Sequence, residues 1–264
     1  MWRWGSGTEA EDDVGWPFRV ALFCVRRQGD QFWTRNGPPA VSLAGRSGGP
    51  FLVAVEAPVV MVGTDRAGVE VALRAGELCC PCCRGALVPW GHARERVLRG
   101  DRHGRERLRP RRARCGSCGR THVLLPVSCL ARRADGVAVI GAALTAKAAG
   151  AGHRRIAVHL ERAVSTVRGW LRVFAARAEP VRSLFTGLLH ELDPLAEPAP
   201  VTGTGFADAV EAIGAVSAAA RRRLGVVGAV SPWQLASAVS GGRLLAPAGL
   251  AESVNTSWPW AAAR

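Results

Sequence analysis

The sequence predicts an α+β chain built in several parts: a small β-rich segment, an all-helical segment and a helical C-terminal tail. Three observations carry that expectation. Two C-x2-C pairs sit among short alternating runs between residues 51 and 130. After LLPVSCLARRAD the apolar spacing changes from the two-residue period of a strand to helical spacing, which continues to about Glu179. Beyond the Pro/Gly-rich stretch DPLAEPAPVTGTG, two further runs carry helix signals. The expected parts are therefore residues 1–50, 51–130, 131–180 and 181–264.

Residues 1–50 show no sustained periodicity, and SLAGRSGGP reads as loop, so this part is expected to be a disordered or non-native N-terminal extension. From Phe51, FLVAVEAPVVMVG and VEVALRAG are expected to form two short strands separated by the turn-like TDRAG. Between the cysteine pairs, WGHARERVLRGDRHGRERLRPRRARC alternates as a hairpin about GDRHG. Its two-residue period puts Arg105, Arg107, Arg109 and Arg111 on one face. That face is either a basic ribbon lying along a phosphate backbone or an ordinary solvated strand face, and the two readings stand level. In the tail, FADAVEAIGAVSAAARRRLG reads as a helix, and SPWQLASAV as another with Ser231 as cap and Pro232 in its first turn.

The chain carries a net charge of +14, and residues 80–180 hold 21 Lys+Arg against six Asp+Glu. The rest of the molecule is close to neutral. Lys147 is the single lysine and tyrosine is absent, a pattern that codon bias in a GC-rich genome also produces, so the confinement of the arginines says more than their number. Localised positive charge suits a polyphosphate partner, because each neutralised phosphate releases a bound counterion. The first residues lack the basic start and apolar run of a secretory signal, and no uninterrupted apolar stretch is long enough to span a bilayer. Eight cysteines in such a chain point to metal chemistry in a reducing compartment, hence a cytoplasmic, nucleoid-associated location without membrane contact.

GELCCPCCRG and CGSC at 115 to 118 answer each other across 31 residues. Two tight turns each supplying two thiolates are what Zn²⁺ takes in a structural ribbon. A redox C-x-x-C needs only one pair, and incidental core cysteines need no spacing at all. Cys79/Cys82 and Cys80/Cys83 are both correctly spaced. The second register places Pro81 just after the first ligand and Gly85 just beyond the second, where a tight turn calls for positive φ, as Gly119 does after CGSC. The expected ligands of one structural zinc are thus Cys80, Cys83, Cys115 and Cys118. Cys79, Cys82 and Cys129 are left as spare thiols, and His122 as a packed or surface residue.

GHRRIAVHLERAVSTVRGWLRVFAARA carries the second signal. Ile156, Ala157 and Leu160 make one apolar helix face, and Val167, Trp170, Leu171 and Phe174 make another. Four residues separate them, Ser165 is expected to cap the second helix, Val164 to plug the corner, and a helix near Val137 to Ala149 to support both. This is helix-turn-helix spacing, with two helices of a plain bundle as the alternative, except that the turn begins with Glu161 where glycine is usual. In that geometry Thr166, Arg168 and Arg172 meet base edges of double-stranded DNA, Ser165 lies at the DNA-binding start of the helix, and His153, Arg154 and Arg155 sit near phosphate.

CPCCRG, RLRPRRARCGSCGRTHVLLP and STVRGWLRVFAARA together resemble an uncharacterised zinc-ribbon plus helix-turn-helix family, a domain of unknown function of the actinobacterial type. Its members are described as helix-turn-helix or transposase-associated proteins. The ribbon also looks like the N-terminal segment of insertion-sequence transposases. The resemblance covers about residues 51–190. It implies DNA binding and carries no established activity; regulation of transcription or transposition, with a separate transposase or recombinase as partner, is an expectation added to it.

No catalytic set is evident. A DDE transposase needs three carboxylates around two metal ions, and Asp193, Asp208 and Glu211 in a helical tail are poor candidates. A tyrosine recombinase is excluded by the absence of tyrosine. The expected function is duplex DNA binding by an accessory or regulatory protein of a transposable element. A stand-alone transcriptional regulator, homodimeric through its C-terminal helices, and an inactive transposase fragment remain open.

Overall fold

The computed structural model describes residues 59–101, 104–197, 203–224 and 231–246. The expected extension over residues 1–50 lies outside them, as does the start of the first expected strand. The chain is α+β, with a small mixed sheet preceding a body of helices.

Strand β1 (Val59–Val62) falls within the first expected run. The second run is a helix, α1 (Arg66–Arg74), which corrects the expectation of a strand. Val69, Val71 and Leu73 alternate as a strand would, but Asp65 accepts hydrogen bonds from the backbone N–H groups of Ala67 and Gly68 and starts a helical turn. Helical spacing then buries Leu73, half-buries Val69 and leaves Val71 60% exposed.

Strands β2 (Leu87–His92), β3 (Arg96–Arg99), β4 (Arg105–Leu108), β5 (Arg111–Cys115) and β6 (Thr121–Pro126) follow. β3 and β4 form the expected hairpin, with Arg99 opposite Arg105. The other strands make a sheet ordered β1-β6-β5-β2, in which β1 runs parallel to β6 and the remaining pairs are antiparallel. One sheet face and α1 enclose a small core of Val62, Leu73, Leu87, Ala113 and Leu124 together with Cys80 and Cys115. Met61, Leu98, Leu108, Leu125, Val127 and Cys129 form a second cluster under the hairpin.

Helices α2 (Val137–Ala148), α3 (His153–His159), α4 (Val164–Ala175), α5 (Ala178–Leu192), α6 (Gly205–Leu224) and α7 (Pro232–Val239) complete the chain. Both expected tail helices are present, α7 with Ser231 at its N-cap and Pro232 in its first turn. The residues expected to face inward do so: Ile156, Ala157, Leu160, Val167, Trp170, Leu171 and Phe174 are all buried. The tail is not a separate layer, however. Phe185, Leu189, Ile213, Val216, Leu235, Leu244 and Leu245 share one core with α2, α3 and α4, so packing continues across the boundary expected at 180. Phe174 meets Phe206 edge-on at 4.8 Å. Among the described residues no helix is long and apolar enough to cross a membrane.

Candidate functional site

The two cysteine pairs form matching turns. Arg84 N–H donates to the Cys80 carbonyl at 2.8 Å, and Gly119 N–H to the Cys115 carbonyl at 3.1 Å. Cys80 N–H closes back on the Gly85 carbonyl, and Cys115 N–H on the Arg120 carbonyl, each at 2.8 Å. The residue after each second cysteine takes positive φ, Arg84 at 59° and Gly119 at 71°. The expectation for Gly119 therefore holds, whereas in the first turn the left-handed position is Arg84, not Gly85. Gly85 is needed for space instead, because a Cβ there would collide with the Ser117 side chain and lie 3.1 Å from Cys115 Sγ.

These turns bring together the Sγ atoms of Cys80, Cys83, Cys115 and Cys118, all within 4.8 Å of one another. Cys80 lies 3.7 Å from Cys118, and Cys83 lies 3.4 Å from Cys115. A tetrahedral ion bonded to sulfur at about 2.3 Å spaces its ligands about 3.8 Å apart, so the quartet fits a metal ion. Burial pushes the Cys80 thiol up to about 12. The backbone N–H of Cys118 donates to Cys115 Sγ at 3.4 Å and brings that thiol down to about 6. Metal uptake must therefore displace the Cys80 proton, while Cys115 is ionised at neutral pH.

The other cysteines among the described residues are placed differently. Cys82 is exposed and accepts from Arg120 Nη1 at 3.3 Å, Cys79 lies in a bridge to Ala86, and Cys129 is fully buried. His122 is buried, with Nε2 3.3 Å from Cys80 Sγ. It forms with Cys80 and Cys82 a second possible ligand set that competes for Cys80.

The helical site residues lie on α3 and α4. Arg154 and Arg155 are exposed on α3, with His153 half-buried at its start. On α4, Ser165, Arg168 and Arg172 are exposed and fall on one stripe by their three- and four-residue spacing, with Thr166 half-buried beside them. Two details differ from expectation. The N-cap of α4 is Ala163, with no side-chain cap, so Ser165 stands inside the first turn. Val164 is 42% exposed and does not plug the corner. Glu161 takes φ of 53°, the left-handed position usually given to glycine in such a turn.

The hairpin turns Leu98 and Leu108 inward and leaves Arg105 and Arg107 on the outer side, with Arg109 exposed just beyond. Arg111 does not join them. Pro110 ends the hairpin, and Arg111 enters β5, where its Nε lies 2.6 Å from Glu70 Oε1 and its Nη1 donates to the Gly91 carbonyl at 2.9 Å. This corrects the expectation that Arg111 shares one face with Arg105, Arg107 and Arg109: its guanidinium is held within the fold by Glu70 and Gly91.

The structure adds residues that the pattern did not single out. Asp135 is buried and accepts from Arg99 Nη2 and from Arg162 Nε, each at 2.7 Å. Arg162 also donates to the carbonyls of Gly100 and Leu160, at 2.6 Å and 3.0 Å. Arg99 ends β3 and Arg162 lies in the turn between α3 and α4, so one carboxylate ties the hairpin to that turn. A signal was present, since Asp135 is the sole acidic residue between Glu106 and Glu161. Of the weighed carboxylates, Asp193 pairs with Arg222 at 3.2 Å and Asp208 is buried. Comparison with protein-family models, with characterised proteins and with solved structures finds no match to this chain.

Proposed function

We propose that the chain binds double-stranded DNA through a helix-turn-helix formed by α3 and α4, supported by a zinc ribbon whose Zn²⁺ is held by Cys80, Cys83, Cys115 and Cys118. Four soft thiolates in tetrahedral array favour zinc and close its coordination shell, which suits a structural ion rather than a catalytic one. The observation that carries the reading is the clamp at Asp135. It sets Arg105, Arg107 and Arg109 of the hairpin in one frame with Arg154, Arg155, Arg168 and Arg172 of the helices. A duplex is a rigid array of phosphates, and a rigid array of arginines matches it at less conformational cost than independent ones.

In this reading α4 lies in the major groove, with Ser165, Thr166, Arg168 and Arg172 toward base edges, and His153, Arg154 and Arg155 with the hairpin arginines on phosphate. The resemblance of the ribbon favours an accessory or regulatory role in transposition, in the bacterial cytoplasm, with catalysis supplied by a separate transposase or recombinase. A stand-alone homodimeric regulator draws less support, because the apolar faces of α5, α6 and α7 are spent on the chain's own core.

Selection of bound sites from a random duplex pool, followed by titration of two variants, tests the reading. Arg154→Ala is expected to weaken binding on every sequence and to lower the salt slope by about 1, whereas Arg168→Ala relaxes sequence preference. Equal losses on all sequences for both variants would remove α4 from the groove.

A further inference from the structure

We propose that the outer face of the ribbon sheet is a second nucleic-acid site, distinct from α4, that stacks an unpaired base of a single strand on Trp90. β2 is the edge strand of its sheet, and Leu87, Ala113 and Cys115 point from β2 and β5 into the core. Val88 lies opposite Arg114 in the register and therefore on the other face. Val88 is 44% exposed and Trp90, two residues on, is 51% exposed. The Arg114 guanidinium carbon sits 4.8 Å from the centre of the Trp90 ring, and Arg114 Nε donates to the Gly119 carbonyl. The indole is thus braced by a cation while half of it stays open to solvent.

The strands and turns that build this face carry charge of one sign. Residues 78–94 and 107–134, which supply β2, β5, β6 and both cysteine turns, contain no aspartate or glutamate, while Arg84, Arg94, Arg114 and Arg120 are exposed. An aromatic platform within a basic surface is the combination that holds a single strand, with bases on the ring and phosphates on the guanidiniums. A duplex uses only the second of these, because its bases are stacked on one another and offer edges alone. An acidic peptide likewise matches the arginines but brings no flat π surface to the indole. The features together favour an unpaired strand.

The test uses the full, metal-loaded chain with an oligothymidylate of about 15 nucleotides and a duplex of mixed sequence, read by fluorescence anisotropy. Trp90→Ala is expected to lower single-strand affinity about 10-fold, Trp90→Phe to retain most of it, and both to leave duplex affinity within about 2-fold. Arg154→Ala is expected to do the reverse, weakening the mixed-sequence duplex and leaving the single strand within about 2-fold, so loss of the duplex reading and loss of this one are separately visible. Unchanged single-strand affinity in Trp90→Ala would overturn the proposal. So would a polyglutamate peptide whose binding depends on Trp90 more strongly than the oligonucleotide's does, since the face would then belong to a protein partner. Photocrosslinking of iododeoxyuridine strands to the unsubstituted chain keeps the question independent of folding: adducts at Trp90 support the site, and adducts confined to α4 refute it.

Discussion

The sheet half and the helical half are held by different means. The helices share one apolar core that runs from Leu130 to Leu245 and is filled by large side chains such as Ile140, Phe174, Phe185 and Ile213. The sheet half divides its apolar residues between two small clusters, and two of the metal-site cysteines, Cys80 and Cys115, are members of one of them. Small units with so little to bury fold with the help of a metal or a cross-link. The comparison teaches that the thiol quartet is rooted in one of the sheet half's small clusters through Cys80 and Cys115, whereas the helical core is built from apolar side chains.

Metal removal should separate the halves most sharply. Chelation, or Cys80→Ser, is expected to abolish the slow amide exchange of β2, β5 and β6 while the helical circular dichroism persists, because binding free energy at such a site is folding free energy. Coincident loss of both signals would mean that the halves fold as one unit. Removing the link between them comes next. Asp135→Ala leaves Arg162, whose side chain is 10% exposed, without its buried counter-charge, and should cost about 3 kcal/mol in urea unfolding. A cost under about 1 kcal/mol would show that the carboxylate does not join hairpin and turn.

Acidity offers a smaller lever. The Cys80 thiol, pushed up to about 12 by burial, holds its proton across the neutral range, so metal affinity should rise with pH by at least about tenfold per unit from pH 7 to 9. Below about 6 the Cys115 thiol also takes up a proton and the dependence should steepen. Competition with a chromophoric chelator at several pH values measures this, and an affinity flat with pH would contradict the ligand assignment. The smallest effect belongs to the helical half alone. Glu161→Gly relieves a left-handed residue at φ of 53° and should stabilise the helices by about 1 kcal/mol without altering metal content.

The halves also differ in how far the sequence revealed them. Helix faces on α3 and α4 were legible because 3.6-residue periodicity is local, and Ile156 through Phe174 are buried as their spacing requires. The thiol quartet was legible because paired spacing reports two turns. Its finer stereochemistry was not, since the left-handed position moves to Arg84 once the Gly85 site is closed by Ser117 and Cys115. α1 is ambiguous in the sequence because Val69 and Leu73 fit both periods while Val71 fits only the strand, and the Asp65 cap decides for the helix. The two-residue period groups Arg111 with the hairpin, but it enters β5 beyond Pro110, where Glu70 reaches it from α1. The pairing of β1 with β6 and the merging of α5, α6 and α7 into the helical core join distant parts of the chain, which no local pattern encodes.

Equilibrium binding of the metal-loaded chain to mixed-sequence duplex across a salt series decides whether the joined halves form a DNA-binding surface. With Arg105, Arg107, Arg109, Arg154 and Arg155 on phosphate, the account predicts firm binding at low ionic strength and a log–log slope of about −4 to −5. Failure to bind duplex at low ionic strength, or affinity indifferent to salt, would contradict it.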